Sequence, residues 1–261
     1  TKDLSKIYPK RVFNMPDSEA AILGFSNGLS LSNKIPICEI MFGDFIGLVF
    51  DQWINHAAKF RSMYANKIKN PLVLRTPMGG RRGYGPTHSQ NMEKHFLGIP
   101  NTQVIVTNIR FNPEKLYDLI LENIEIPTLV IENKLDYSKI NNKYEKNNFR
   151  YYVNNHTIPD IKLSNKNKKT DITIVCWGGL VSIAEELVYK LLVDEEIVCE
   201  IIIPQILYPK NFNAIEESLK MTNNLVIIED DTSFNSFGSE IISNLHLRLS
   251  TFKSIKINTE N

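Results

Sequence analysis

Pro71-Leu72-Val73-Leu74-Arg75-Thr76 is an apolar run with a single charge, and the glycine-rich turn Met78-Gly79-Gly80-Arg81-Arg82-Gly83-Tyr84-Gly85-Pro86 follows almost at once. A short apolar run bounded by such punctuation predicts a strand buried on both faces. The same pattern repeats outward from it. Upstream, Val49 to Met63 carries Phe50, Trp53, Ile54, Ala57 and Ala58 at helical spacing, and Ile35 to Phe42 reads as another strand. Before that strand, Pro16-Asp17-Ser18-Glu19 opens a helix running to about Ser30, with Asp17 or Ser18 as its cap. Downstream come a short helix near 91–96, a strand at 103–107, a helix entered through Asn112-Pro113, and a strand at 127–131.

Strand and helix in alternation predict an α/β chain with a doubly wound, mainly parallel sheet over residues 1–135. Such a domain normally opens with a strand, whereas this one opens with a helix, so its first strand is expected to be missing. Residues 136–170 are dominated by Asn and Lys and read as a linker or long loop with one ordered piece at 149–153. The alternation restarts at Asp171 and predicts a smaller α/β domain over 171–261, with strands at 172–177, 198–203 and 225–229 between helices.

Composition narrows the classes of function. Hydrophobic residues make up 43% and charged residues 23% of the 261, which excludes a disordered or fibrous chain. A net charge of +1 provides no global field to recruit nucleic acid or acidic lipid. No apolar run approaches the roughly 20 residues of a membrane span. Cys38, Cys176 and Cys199 lie far apart in apolar stretches, which suits buried thiols in a cytoplasm or an organelle matrix.

Three features carry potential chemistry. Glu19 sits in the first turn of a helix, where a carboxylate complements the dipole and has no need of a further role. His88 follows the flexible loop at a strand's carboxyl end, where active-site loops lie in this architecture. The loop glycines with Arg81 and Arg82 offer a cradle for an anion, although the Gly-Lys-Ser/Thr ending of a nucleotide loop is absent.

Several segments together resemble the beta subunit of the thiamine-diphosphate-dependent 2-oxo acid dehydrogenases, the decarboxylating first component. They are Arg11 to Glu19, Pro36 to Phe42, Phe50-Asp51-Gln52 with Asn55 to Lys59, Pro71 to Pro77, His88-Ser89-Gln90, Gly98-Ile99-Pro100 and Val130 to Leu135. The second half is similar to the family's transketolase-type C-terminal domain.

The resemblance implies a domain that binds the cofactor's aminopyrimidine ring. Glu19 matches the residue that contacts a ring nitrogen, Phe45 an aromatic residue packed on the ring, and Met41 a further wall residue. His88 matches an active-site histidine that assists proton transfer or guides the lipoyl acceptor, a task suited to imidazole. The family also holds a structural potassium ion through backbone carbonyls, at positions matching Leu72, Leu121, Glu122, Ile124 and Ile126. The Gly-Asp-Gly…Asn pattern for magnesium and diphosphate is absent and belongs to the family's alpha subunit. The resemblance therefore implies half an active site, completed by an alpha subunit or a fused alpha segment. It also implies a homodimer of beta parts, a small 2-oxo acid substrate and a lipoyl acyltransferase partner. The alternatives are another transketolase-like carboligase or transferase, or a non-catalytic scaffold subunit.

The chain departs from the family pattern at three places. Asp17 stands where an apolar residue is usual, Ile203-Pro204-Gln205 replaces an Asp-Leu-Arg, and Asn235-Ser236 replaces a double glycine. The second and third changes bear on docking of an acyltransferase core.

Overall fold

The computed structural model describes residues 3–139 and 148–259. The stretch 140–147, within the expected linker, lies outside the described residues. The elements run α1 (Leu4–Ile7), α2 (Glu19–Leu31), β1 (Ile37–Glu39), irregular helical turns over Gly43–Val49 and Gln52–Ala57, then α3 (Phe60–Met63), β2 (Val73–Met78), β3 (Gln103–Val106), α4 (Pro113–Asn123) and β4 (Thr128–Asn133). There follow β5 (Phe149–Val153), β6 (Ile161–Asn165), β7 (Ile172–Cys176), α5 (Val181–Asp194), β8 (Cys199–Ile203), β9 (Ile206–Tyr208), α6 (Asn213–Thr222), β10 (Asn224–Ile228), α7 (Phe237–His246) and β11 (Lys253–Ile257).

These strands build two sheets. The first has the order β1-β2-β4-β3-β9, with β1 to β4 parallel and β9 antiparallel to β3. The second has the order β11-β10-β7-β8-β6-β5; its first four strands are parallel, and β6 and β5 extend it antiparallel. Side chains alternate across each sheet between two cores. Val104 and Val106 face one and Ile105 the other; Val175 and Trp177 face the first while Ile174 and Cys176 face the second. Burial on both faces explains the nearly unbroken apolar sequence of the central strands.

The helix expected over 49–63 forms as a broken series of turns. Side-chain amides from elsewhere take its carbonyls: Asn27 Nδ2 donates to Gln52 O at 3.0 Å, Asn70 Nδ2 to Ala57 O at 3.0 Å and Asn101 Nδ2 to Ala58 O at 3.2 Å. Side chains entering the ladder in this way interrupt a regular helix.

The stretch 149–165 forms the β5–β6 pair, of which only β5 was expected from the apolar pattern. In β6, Ile161 and Leu163 are buried while Lys162, Ser164 and Asn165 are partly exposed, so its strand signal is diluted by polar neighbours. The two halves are also tied together through Gln205, which is fully buried between β8 and β9. Its carbonyl accepts from Val106 N at 2.8 Å, its Nε2 donates to Pro159 O at 2.6 Å, and its Oε1 accepts from Asn108 Nδ2 at 3.4 Å. A neutral amide whose side-chain oxygen and nitrogen are both bonded serves this junction where a charged side chain would need its own partner. Arg110, after β3, meets Glu185 of α5 at 2.6 and 2.5 Å in a bidentate pair, and the Tyr151 hydroxyl of β5 donates to the same carboxylate.

The direction of α2 positions Glu19. Ser18 caps the helix, its Oγ accepting from Ala21 N at 3.4 Å. At the other end, Ser30 Oγ donates to Pro71 O at the entrance to β2, at 3.0 Å. The helix thus runs antiparallel to the strands, and its N-terminus is directed toward their carboxyl ends.

Candidate active site

In a parallel sheet all strands deliver their following loops to one edge, and ligand crevices form there. Phe42 leaves β1 at that edge, the loop 79–90 leaves β2, and Lys134 leaves β4. The three bring a cluster of rings together. The His88 imidazole stacks on Phe42 with centroids 4.4 Å apart and planes at 20°. Phe45 meets His88 edge-on at 5.5 Å and Phe42 at 6.3 Å, and Tyr84 meets Phe42 at 6.5 Å. Phe42 adopts φ 66°, a backbone region unfavourable for a bulky residue and held here by its ring contacts. His88 Nδ1 is buried without a hydrogen-bond partner, so the ring is placed by packing and one nitrogen remains open to a ligand.

An open cleft adjoins the cluster, lined by Glu39, Met41, Phe42, Arg75, Pro77, Lys134 and Tyr137. Its floor is a fixed polar network. Arg75 bonds Glu39 at 2.8 Å and Glu132 at 2.5 Å, while the hydroxyls of Tyr117 and Tyr137 donate to Glu132 at 2.6 and 2.5 Å. Burial works to raise the Glu132 carboxyl, but the bonds from Arg75, Tyr117 and Tyr137 outweigh it and hold the group below its ordinary range. Burial first, and then the same carboxylate, drive both tyrosine hydroxyls upward, so they remain donors at physiological pH.

The glycine-rich loop divides its two arginines. Arg81 reaches into the second half of the chain and donates to Gly179 O at 2.9 Å. Arg82 stays with the rings and donates to the carbonyl of His88. Gly80 N bonds Asp230 at 2.9 Å, and a Cβ at Gly80 would meet that carboxylate at 2.8 Å, so a larger residue here would have to displace it. Behind the loop, Glu93 is buried; its Oε1 accepts from Trp177 Nε1 at 3.3 Å and its Oε2 has no partner. Burial first, then the charges of Asp231 and Asp230, push this carboxyl up to about 8.

The structure thus brings His88 and Phe45 into contact and sets Met41 on the rim of the adjacent cleft. Glu19 lies on a separate element directed to the same edge; among the described residues its carboxylate has no hydrogen bond or ion pair. Leu72, Leu121, Glu122, Ile124 and Ile126 gather at the opposite edge, where α4 ends and β2 and β4 begin. There Leu72 O accepts from Thr128 N at 2.7 Å and Ile126 O from Thr128 Oγ1 at 3.2 Å, while the last carbonyls of α4 lack helical partners by position. Among the described residues no group of three or more His, Cys, Asp or Glu could hold a metal ion, and no helix is long and apolar enough to cross a membrane. Cys38, Cys176 and Cys199 are free and buried. Phe42, Tyr84 and Lys134 were not singled out from sequence as site residues. The left-handed backbone at Phe42 and the convergence of three strand ends become visible only in the fold.

Comparison with known proteins agrees with this geometry. Residues 1–139 match the transketolase pyrimidine binding domain, and residues 162–259 match the transketolase C-terminal domain. The chain is 34% identical over 233 residues to the acetoin:2,6-dichlorophenolindophenol oxidoreductase subunit beta of Bacillus subtilis (strain 168), across 88% of this chain and 65% of that protein. It is 31% identical over 238 residues to the mitochondrial 2-oxoisovalerate dehydrogenase subunit beta 2 of Arabidopsis thaliana, across 90% of this chain and 63% of that protein. It is 29% identical over 244 residues to the pyruvate dehydrogenase E1 component subunit beta of Acholeplasma laidlawii, across 93% and 72%. The chain therefore spans a little under two thirds of the length of the first two relatives. A solved split-gene transketolase, described as an inactive beta4 tetramer, shares the fold with a TM-score of 0.74 at 22% identity, covering 100% of this chain and 79% of that one. Fold, edge-of-sheet crevice and sequence match agree: the chain belongs to the transketolase pyrimidine-binding-domain family and carries a transketolase C-terminal domain after it.

Proposed function

We propose that this chain is the beta part of a thiamine-diphosphate-dependent 2-oxo acid dehydrogenase, binding the cofactor's aminopyrimidine and supporting decarboxylation of a small 2-oxo acid with acyl transfer to a lipoyl group. The observation that carries the reading is the meeting of Phe42, Phe45 and His88 at the carboxyl edge of a parallel sheet, with one imidazole nitrogen left open beside a cleft. An unpartnered buried nitrogen and an unpaired Glu19 carboxylate suit a polar heteroaromatic ligand.

Thiamine diphosphate, when bound, supplies the electron sink that makes loss of carbon dioxide feasible. The chain's own residues do the rest. Glu19 holds a pyrimidine nitrogen by a carboxyl hydrogen bond, Phe45 packs on the ring, and Met41 closes a wall. His88 holds or transfers a proton at the reacting oxygen or guides the lipoyl acceptor, with Phe42 fixing its plane. Magnesium and the diphosphate fall mainly to an alpha partner. A potassium ion at Leu72, Leu121, Glu122, Ile124 and Ile126 would brace the far edge. The chain works as two domains, 1–135 and 171–261, in a dimer of beta parts with an alpha subunit or segment, in the cytoplasm or an organelle matrix. The test is decarboxylation and lipoyl acylation by the chain with its alpha partner, with His88→Ala as control. Equal rates with and without His88 would sink the assignment.

A further inference from the structure

Two cations share one pair of rings at the cleft. Lys134 Nζ lies 5.1 Å from the Phe42 centroid and 5.6 Å from that of Tyr84. Arg82 Cζ lies 6.0 and 5.7 Å from the same two rings. A ring face orients a cation without consuming its donors. Neither side chain has an acidic partner among the described residues. The acids nearby are engaged elsewhere: Glu39 and Glu132 by Arg75, and Asp136 by Lys139 at 2.8 Å. Asp44, in the turn that carries Phe45, has both oxygens unpartnered and so reaches neither cation. Arg82 Nε and Nη1 are buried without acceptors, a loss that an incoming anion would repair.

The departing carboxylate of a 2-oxo acid is a poor occupant for such a pair. Cations held against it stabilise the bound substrate more than a transition state in which its charge leaves. A pair of this kind serves an anionic group that keeps its charge throughout. We propose that Lys134 and Arg82 bind a second anionic group, a carboxylate or phosphoryl group, at the far end of the substrate. The substrate is then a 2-oxo acid with a charged tail rather than an alkyl one. Lys134 lines the cleft, and Arg82 lies over the same two rings and is bonded to the His88 carbonyl, so the pair sets that tail next to the reacting centre. This assignment rests on the function proposed above.

Calorimetric titration of the full chain at constant ionic strength tests it, with 2-oxoglutarate, 3-phosphonopyruvate and 2-oxoisovalerate as probes. At least one charged-tail probe is expected to bind about tenfold or more tightly than 2-oxoisovalerate, the ratio one charge-assisted hydrogen bond provides. The two charged probes separate carboxylate from phosphoryl recognition. Lys134→Met, a residue with no hydrogen bond to lose, should abolish most of the ratio, Lys134→Arg should retain it, and Arg82→Gln should reduce it. Absence of binding by both charged probes, equal binding of the neutral-tail acid, or a ratio that survives in both Lys134→Met and Arg82→Gln would overturn the proposal. Failure of the underlying function shows separately, as absence of cofactor-dependent turnover of any 2-oxo acid with the alpha partner. Turnover without preference for a charged tail counts against this assignment alone.

Discussion

The imidazole of His88 lies flat on the ring of Phe42, centroids 4.4 Å apart, although 46 residues separate them in the chain. Phe42 lies in the loop after β1 and His88 in the loop after β2, and those two strands are neighbours in the sheet. The stack fixes the plane of a side chain that makes no hydrogen bond through Nδ1.

Replacing Phe42 by Leu removes the stack while leaving apolar bulk. Aromatic pairs contribute about 0.5–1.5 kcal/mol beyond their burial, so turnover with the alpha partner should fall by roughly two- to tenfold. Steady-state kinetics alongside thermal melting separates the effects: the rate should fall more than stability explains.

Arg110→Ala should destabilise the chain far more than a surface change. Its partner Glu185 is only 5% exposed, and a buried carboxylate stripped of its cation costs about 3–5 kcal/mol. Urea unfolding measures this. Arg110→Lys should recover only part, because a point charge cannot reproduce the bidentate geometry.

Glu93 predicts a pH dependence of stability. Its carboxyl is raised from 4.5 to about 8 by burial, so folding favours the protonated form. The stability it supports is complete below pH 4.5 and is lost as pH climbs through about 8. Asp230 and Asp231 face it from the end of β10, with Lys94 on its own turn already paired to Asp231 at 3.0 Å. Glu93→Gln should leave the melting point little changed below about pH 4.5 and raise it progressively as the pH climbs to about 8. A wild-type-minus-variant difference that does not vary with pH would refute the sign.

Much of the architecture was legible in the sequence because buried parallel strands are apolar on both faces. Ile172 to Cys176 and Cys199 to Ile203 announce themselves in this way. The edge strand β11 does not, since Lys253, Ser254 and Lys256 interrupt Ile255 and Ile257, and β9 is only three residues long between Pro204 and Pro209. In the site, His88 was legible from its loop and Arg82 from its glycines. Lys134 was not, because its role depends on the ends of β1, β2 and β4 meeting in space. Glu93 was equally silent, since its environment comes from Trp177 and Asp230 in the other half of the chain.

The most direct test of the central claim is the decarboxylation rate of the Glu19→Gln chain with its alpha partner, thiamine diphosphate and magnesium. Loss of the carboxyl bond to the pyrimidine should lower the rate by about a hundredfold or more, the range of acid–base contributions, while the melting point falls only by the small amount that loss of a first-turn carboxylate costs, about 0.3–1 kcal/mol. A rate equal to that of the unaltered chain would contradict the account.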